Sequence, residues 1–202
     1  TPLLRKPFGI YAVDAEKISI LYRLVGKGTQ ILSEVEKDQM LDVLGPLGTP
    51  AKISKDTKKT AIIAGGVGIA AVRLITENIE GDCDLFYGVQ NKSELAELNI
   101  WEELTENIFL SSDDGSCGEK GFITEVFAAN ASKYERVICC GPKVMMEKVF
   151  NACSDSIETY FLMEEYMACG IGICMGCVTK TKKGYRCICK DGPVFKGSDI
   201  VW

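Results

Sequence analysis

Histidine is absent from this chain of 202 residues. That removes imidazole acid–base catalysis and histidine metal ligands together, so any chemistry is expected to come from bound cofactors. Long apolar runs are also missing. No stretch approaches the roughly 20 residues of a membrane span, so no spanning helix is expected and no membrane partner is anticipated. Positive charge is not in excess: the formal net charge is −5, which argues against nucleic acid, whose phosphates demand a basic face. No stretch reads as a signal peptide. The ten cysteines are therefore expected as reduced thiols in the cytoplasm, not as the disulfide framework of a small secreted domain.

What is present is ordinary for a globular protein, with 47% hydrophobic and 25% charged residues. A chain of this length can bury one good core or two modest ones. It opens at Thr1 and not at methionine, from which a fragment or a processed product is expected.

The cysteines are not evenly spread. Cys169, Cys174, Cys177 and Cys189 are separated by four, two and eleven residues in a glycine-rich stretch too irregular for helix or strand. Four thiolates from one short loop and one returning cysteine are how a plant-type [2Fe-2S] cluster is held, because two irons and two sulfides take four soft anionic ligands. Gly170, Gly172 and Gly176 let the backbone wrap close and turn its amides toward sulfur. The plainer alternative is structural zinc. Zinc modules usually pair their ligands as two separated Cys-x2-Cys knuckles, and a four-residue first gap is atypical of them. Cys187 precedes Cys189 by two residues; Cys189 is taken as the ligand and Cys187 as a packed thiol.

Along the chain, residues 1–53 show apolar positions at period two (Phe8, Ile10, Ala12; Ile18, Ile20, Tyr22; Leu41, Val43) broken by glycines and Gly45-Pro46. This predicts antiparallel strands, with a short helix over residues 33–40. Three or four such strands are marginal unless something pairs their edges. The lysine-rich SKDTKKT from Ser54 reads as a connector and a domain boundary. Beyond it the pattern becomes strand (61–64), glycine turn (Gly65, Gly66, Gly68) and helix (69–79). Free amides and a helix dipole at such a turn favour a phosphate, although a GGxG alone is as readily an ordinary turn. Strands are expected at 84–87, 108–111, 137–140 and 159–163, with helices at 93–104, 122–129 and 143–152. This alternation predicts an α/β fold: a Rossmann-like parallel-sheet nucleotide-binding domain whose ligands sit at the carboxyl ends of the strands. It is preceded by a partial antiparallel β barrel and followed by a small [2Fe-2S] loop domain. Cys140-Gly141-Pro142 lies at one such carboxyl end. It reads either as a strand turning into a helix with proline at its first position or as a loop that places Cys140 beside a nicotinamide ring.

The segments LLRKPFGIY, LYRLVGKGT, LDVLGPLG, DDGSCGEKGFITE, CGPKVMM, EEYMACGIGICMGC and DGPVF, in this order, resemble the ferredoxin reductase family. Within it they resemble most closely the electron-transfer subunits of two-subunit, NAD-dependent dihydroorotate dehydrogenases. The resemblance runs over nearly the whole chain and implies three segments: a partial FAD-binding barrel (1–53), an NAD-binding domain (54–160) and a [2Fe-2S] domain (161–202). It implies FAD contacts at Lys6, Pro7, Phe8 and Gly9, at Leu21, Tyr22 and Arg23, and at Gly28 and Thr29. The nucleotide would lie on Gly65, Gly66, Gly68, Cys140, Gly141 and Pro142. Lys6 and Gly9 stand where the family has arginine and serine, so a bidentate phosphate contact becomes a point charge, and Arg5 is the nearest guanidinium. Ala70-Ala71 replaces a proline pair, Gln90 replaces an arginine, and the family's barrel begins several strands before the position of Thr1. The implied route runs through NAD, FAD and the [2Fe-2S] cluster to the FMN of a separate catalytic subunit that interconverts dihydroorotate and orotate. Met167, Ile171, Ile173 and Met175 form the expected docking face, and amides near Gly170 and Gly172 are expected to bond the sulfurs. Related ferredoxin:NADP oxidoreductase or sulfhydrogenase subunits share the same modules, and a nucleotide-binding domain with a structural zinc loop is the non-redox alternative. The segment Gln90-Asn91-Lys92-Ser93 lacks an arginine for a 2′-phosphate, although Lys92 could take that role; the reading leans to NAD over NADP.

Overall fold

The computed structural model describes residues 4–202. Its first part is sparse in regular structure. Ala12–Val13 (β1) and Ile18–Ser19 (β2) form a short antiparallel ladder, and the Asp14 carboxylate closes their turn by accepting from the amides of Glu16 and Lys17 at 2.9 Å. The helix of this region is Lys27–Ser33 (α1), not residues 33–40. Its start is fixed by Thr29, whose hydroxyl accepts from the amides of Val25 and Gly26 and donates to the Gly26 carbonyl. The chain cannot continue helically past Asp38, which has a φ of 69°. Leu41, Val43 and Leu44 are exposed and form no strand among the described residues. Their alternation is real, but a ladder needs a neighbouring strand.

The rest follows the alternation, except that the helix expected over residues 93–104 is α-helical only from Asn99, after a single 3-10 turn at Lys92–Glu94 and an irregular stretch. Thr60–Gly65 (β3), Ile69–Thr76 (α2), Cys83–Val89 (β4), Asn99–Leu104 (α3), Asn107–Ser112 (β5), Glu119–Lys120 (β6), Ile123–Ala128 (α4), Arg136–Cys140 (β7), Lys143–Ala152 (α5) and Glu158–Leu162 (β8) succeed one another. A hairpin of Val178–Thr181 (β9) and Gly184–Cys187 (β10) comes next, then the short Ile188–Asp191 (α6) and Val194–Lys196 (β11). One seven-stranded sheet has the order β11-β8-β7-β3-β4-β5-β6, parallel throughout except that β11 runs antiparallel to β8.

Alternate residues of the central strands enter two cores, one on each face. Ile63, Phe86, Cys139 and Phe161 face one side; Ile62, Leu85, Ile138 and Leu162 face the other, where Trp101 is wholly buried. Strands covered on both faces need the near-continuous apolar runs seen in the sequence. Phe86 stacks on Phe109 at 4.6 Å and meets Phe127 and Tyr134 edge-on at 5.5 and 5.7 Å.

The chain moves outward from β3 through β4 to β6, then returns to β7 on the other side of β3. The strand order therefore reverses between β3 and β7, and at such a point the loops on the carboxyl side diverge and leave a crevice. Both ends of the cysteine stretch are pinned to one place: it leaves at the end of β8 and returns as β11, with Leu162 opposite Val194 and the Met163 amide donating to the Pro193 carbonyl at 2.9 Å.

At the opposite end of the sheet, fully buried Arg136 holds the connector: Nη2 donates to Ser54 at 2.9 Å and to the Asp56 carboxylate, and Nε to Glu158 at 3.4 Å. Lys58 pairs with the same two carboxylates. Desolvation opposes the charge on Asp56, but hydrogen bonds from Arg136, Ser54 and Lys58 outweigh it and hold this carboxyl at about 2, below its ordinary 3.8. A depressed carboxyl stabilises the fold above the unfolded value and loses that contribution as pH falls through the folded one. The melting-temperature gap between the wild type and Asp56→Asn is accordingly expected to be full above pH 3.8 and to close by about pH 2. Phe86→Ala, by emptying the aromatic cluster, is expected to cost about 3–5 kcal/mol in urea unfolding.

Candidate functional site

The loop of residues 164–177 has no regular structure, yet its sulfurs are ordered in two pairs. The Cys174 amide donates to Cys169 Sγ at 3.4 Å and the Cys189 amide to Cys177 Sγ at 3.5 Å. Two further amides reach sulfur: Gly172 to Cys189 Sγ at 3.1 Å and Gly176 to Cys174 Sγ at 3.4 Å. The chain can present its amides inward only by turning left-handed at Gly170 (φ 73°) and Gly172 (φ 78°). A Cβ on Gly172 would stand 2.6 Å from Lys190 Cδ, so this position tolerates only glycine.

Two sequence expectations divide here. The Gly172 amide does bond a sulfur, as anticipated for that region. Met167, by contrast, packs partly buried against the core and leaves the expected docking face, because the end of β8 turns it inward. Ile173 (76% exposed), Ile171 and Met175 remain outside, joined by Tyr166, 95% exposed. Cys187 is buried; its thiol contacts Met175 Sδ at 3.2 Å and its amide donates to Asp191 at 2.7 Å. Thiols grouped two and two, with amides aimed at the sulfurs, fit a pair of irons.

At the switch point two loops interlock. A Cβ on Gly68 would run into the Cys140 carbonyl, one on Gly65 would lie 2.6 Å from Met145 Sδ, and one on Gly141 the same distance from Met145 Cε. These three glycines serve close packing of loop on loop, with Met145 as the wedge. Gly66 differs: its φ is 53° and the space beyond it is open. This is the open backbone that an anion at the start of α2 would meet. Pro142 caps α5. The Cys140 thiol is 1% exposed and packs among core residues; burial, reinforced by Glu164, pushes its pKa well above the ordinary thiol value. Further along the same rim, the Lys92 amide donates to Ser116 Oγ at 2.7 Å and the Asp114 amide to the Gln90 carbonyl at 3.3 Å.

In the first segment, the Lys6 chain lies over Gly28, whose Cβ would be 2.9 Å from Lys6 Cε. Phe8 and Tyr22 meet edge-on at 5.7 Å, Leu21 packs on the second core, and Gly9 lies against Ala71 of α2. Pro7 is exposed between Lys6 and Phe8. Beside Gly28 and Thr29 an open cleft of about 550 Å³ is lined by Leu24, Gly26, Lys27 and Gln30. Lysine charge next to a glycine turn and an open cleft fit a dinucleotide phosphate. Arg23 reaches across to Glu94 at 3.5 Å, and Tyr11 lies under the Arg73 guanidinium at 4.3 Å. Arg5 is engaged by Asp42 through both its carbonyl, at 2.8 Å, and its carboxylate.

Sequence reasoning missed Met145, Glu94 and Thr49. The first two sit in segments whose pattern announces only a helix or a loop, and Thr49 acts across the fold.

The thiols are not equivalent. Donation by the amides of Cys174 and Ile171, the Cys174 thiol and the Ile173 amide lowers Cys169 to about 6. Burial, with the Cys177 bond reinforcing it, raises Cys189 to about 11 against the pull of the Gly172 amide. In metal-free chain at pH 7, iodoacetamide is expected to modify Cys169 well before Cys189, as read by peptide mass spectrometry.

The iron-sulfur cluster binding domain of dihydroorotate dehydrogenase B matches residues 164–201, and the oxidoreductase NAD-binding domain matches residues 62–150. The dihydroorotate dehydrogenase B (NAD(+)) electron transfer subunit of Clostridium acetobutylicum is 41% identical over 202 residues, covering 99% of this chain and 80% of its own length. That of Clostridium perfringens is 33% identical, covering 98% and 81%, and the probable counterpart of Pyrococcus abyssi is 36% identical, covering 96% and 74%. Among solved structures, an NADH-dependent reduced ferredoxin-NADP oxidoreductase superposes with a TM-score of 0.86 at 25% identity, over 98% of this chain and 75% of the other. The cytochrome b5 reductase domain of Ulva prolifera nitrate reductase shares the fold, with a TM-score of 0.53 at 21% identity over 66% and 63%. Similarity of this extent is decisive: the chain belongs to the family of dihydroorotate dehydrogenase B (NAD(+)) electron transfer subunits.

Proposed function

We propose that this chain is the electron-transfer subunit of a dihydroorotate dehydrogenase, an NAD-linked oxidoreductase component serving pyrimidine biosynthesis. The observation that carries the reading is the cysteine loop: two thiol pairs with four amides on their sulfurs, in a chain 41% identical to a named subunit of that enzyme. Its cofactors are NAD, FAD and a [2Fe-2S] cluster; when bound, the flavin exchanges two electrons with NAD(H) as a hydride and single electrons with the cluster.

The residues of the chain bind and orient. Gly65, Gly66 and Gly68, with the start of α2, take the nucleotide phosphates, while Cys140, Gly141 and Pro142 form the wall toward the nicotinamide by their backbone. Lys6, Pro7, Phe8, Gly9, Leu21, Tyr22, Arg23, Gly28 and Thr29 hold the flavin, with the Lys6 charge in place of a bidentate guanidinium. Cys169, Cys174, Cys177 and Cys189 hold the cluster. Residues 1–53, 54–160 and 161–202 divide these tasks, although β11 of the last segment completes the sheet of the second. No residue acts as a general acid or base.

The partner is the FMN-containing catalytic subunit, and net flow runs from dihydroorotate to NAD. Tyr166, Ile171, Ile173 and Met175 offer an exposed apolar face beside the thiols, where an acceptor comes nearest to the cluster. The rim after β4 carries Lys92 but no arginine, which supports NAD over NADP. Among the described residues no helix is long and apolar enough to cross a membrane, and a cysteine-rich chain read as carrying reduced thiols supports a cytoplasmic location.

Purified anaerobically, the protein is expected to absorb between about 400 and 550 nm and to bleach with dithionite. Cys174→Ser abolishes that band and electron delivery to the catalytic subunit, while NADH binding, followed by fluorescence, stays unchanged. A cluster surviving in Cys174→Ser sinks the ligand assignment; a colourless, zinc-containing protein sinks the redox reading.

A further inference from the structure

Among the described residues, the hydrogen bonds that join the flavin-side segment, residues 4–51, to the cysteine segment both come from Thr49. Its amide donates to the Gly192 carbonyl at 2.7 Å and its hydroxyl to the Lys190 carbonyl at 2.7 Å. These acceptors lie at the end of α6, where helix carbonyls have no donor of their own. The same short helix carries Cys189, whose sulfur receives the Gly172 amide. Thr49 is thus connected to the thiol loop through one rigid turn.

Two neighbours brace the contact. Gly48 has a φ of 87°, and a Cβ there would stand 2.6 Å from the Gly192 carbonyl oxygen. Only glycine lets the two backbones approach this closely. Leu47 Cδ1 lies 3.2 Å from the point a Cβ would occupy on Gly170, so its side chain rests on the bend between Cys169 and Gly172.

We propose that Leu47, Gly48 and Thr49 form a latch that fixes the cysteine loop against the flavin segment, with Thr49 a positioning residue for electron transfer between them. The inference rests on the flavin and cluster reading above. Tunnelling between two centres weakens exponentially with their separation, so a contact that holds the loop at one distance governs the rate although it touches neither centre.

The test compares Thr49→Val, which keeps the shape and removes the hydroxyl, with Thr49→Ser, which keeps the hydroxyl, in the full chain as purified. Thr49 is exposed and lies outside both cores, so both variants are expected to fold. Loss of one hydrogen bond predicts hydrogen exchange about fivefold faster in residues 188–192 and in the cysteine loop of Thr49→Val, with Thr49→Ser like the wild type. On mixing with NADH in a stopped-flow instrument, bleaching of the cluster band is expected to slow in Thr49→Val while flavin bleaching keeps its wild-type rate. Gly48→Ala provides a second variant with the same expected pattern. Unchanged exchange in both Thr49→Val and Gly48→Ala overturns the latch, as does failure of Thr49→Ser to restore the wild-type value. If the wild-type chain shows neither flavin nor cluster absorption, the functional reading falls, and the exchange contrast still decides the latch.

Discussion

An irregular loop holds its atoms in place only if its ends are held, and here both ends are tied to one strand. β8 delivers the chain into the cysteine loop and β11 takes it back alongside β8, with the Met163 amide closing the seam on Pro193. Between these fixed points the hairpin β9–β10 and the turn of α6 return Cys189 toward the cysteines that precede it. The sulfurs are then set by backbone amides, which cannot rotate away as side chains can. A site built from amides and glycine turns depends on the sheet for its precision: loosening the β8–β11 pair would leave the four thiols on a flexible tether.

The nucleotide side uses glycine for a different purpose. At the switch point, Gly65, Gly68 and Gly141 are absent of side chains so that two loops can pack against each other around Met145. Gly66 alone faces open space. The crevice is therefore rigid on its protein side and bare on the ligand side, which is what backbone recognition of a phosphate needs. The buried Cys140 thiol, with its raised pKa, is unreactive in this setting; what it presents to the loop is its carbonyl, against Gly68.

The parallel sheet and the thiol spacing were legible because each rests on local sequence. Apolar runs such as Thr60–Gly65 between glycine turns have few alternatives to a doubly covered strand, and cysteines at fixed intervals carry their own geometry. What could not be read depends on partners distant in sequence. Residues 41–44 alternate like a strand but have no ladder to join, while the helix start at Gly26 is set by a single Thr29 hydroxyl. The pairing of Arg5 with Asp42, far along the chain, leaves no local signal. Met167 reads as surface beside Ile171 and Ile173, and only the path of the chain after β8 turns it inward. The Thr49 contacts span 141 residues, beyond the reach of any periodicity.

The buried Arg136 sits at the amino ends of the strands, whereas the nucleotide crevice opens at their carboxyl ends. A strand such as β3, of six residues, separates the two by roughly 20 Å at about 3.3 Å per residue. Around Arg136 and Lys58 stand the carboxylates of Asp56 and Glu158, so charge of each sign is offset within a few side chains. Such a group, with opposite charges in contact, projects little field at the distance of the crevice. The sheet therefore works as an electrostatic spacer. Substitutions that keep this cluster's charges balanced can tune folding from the base of the sheet with little change in the potential at the crevice.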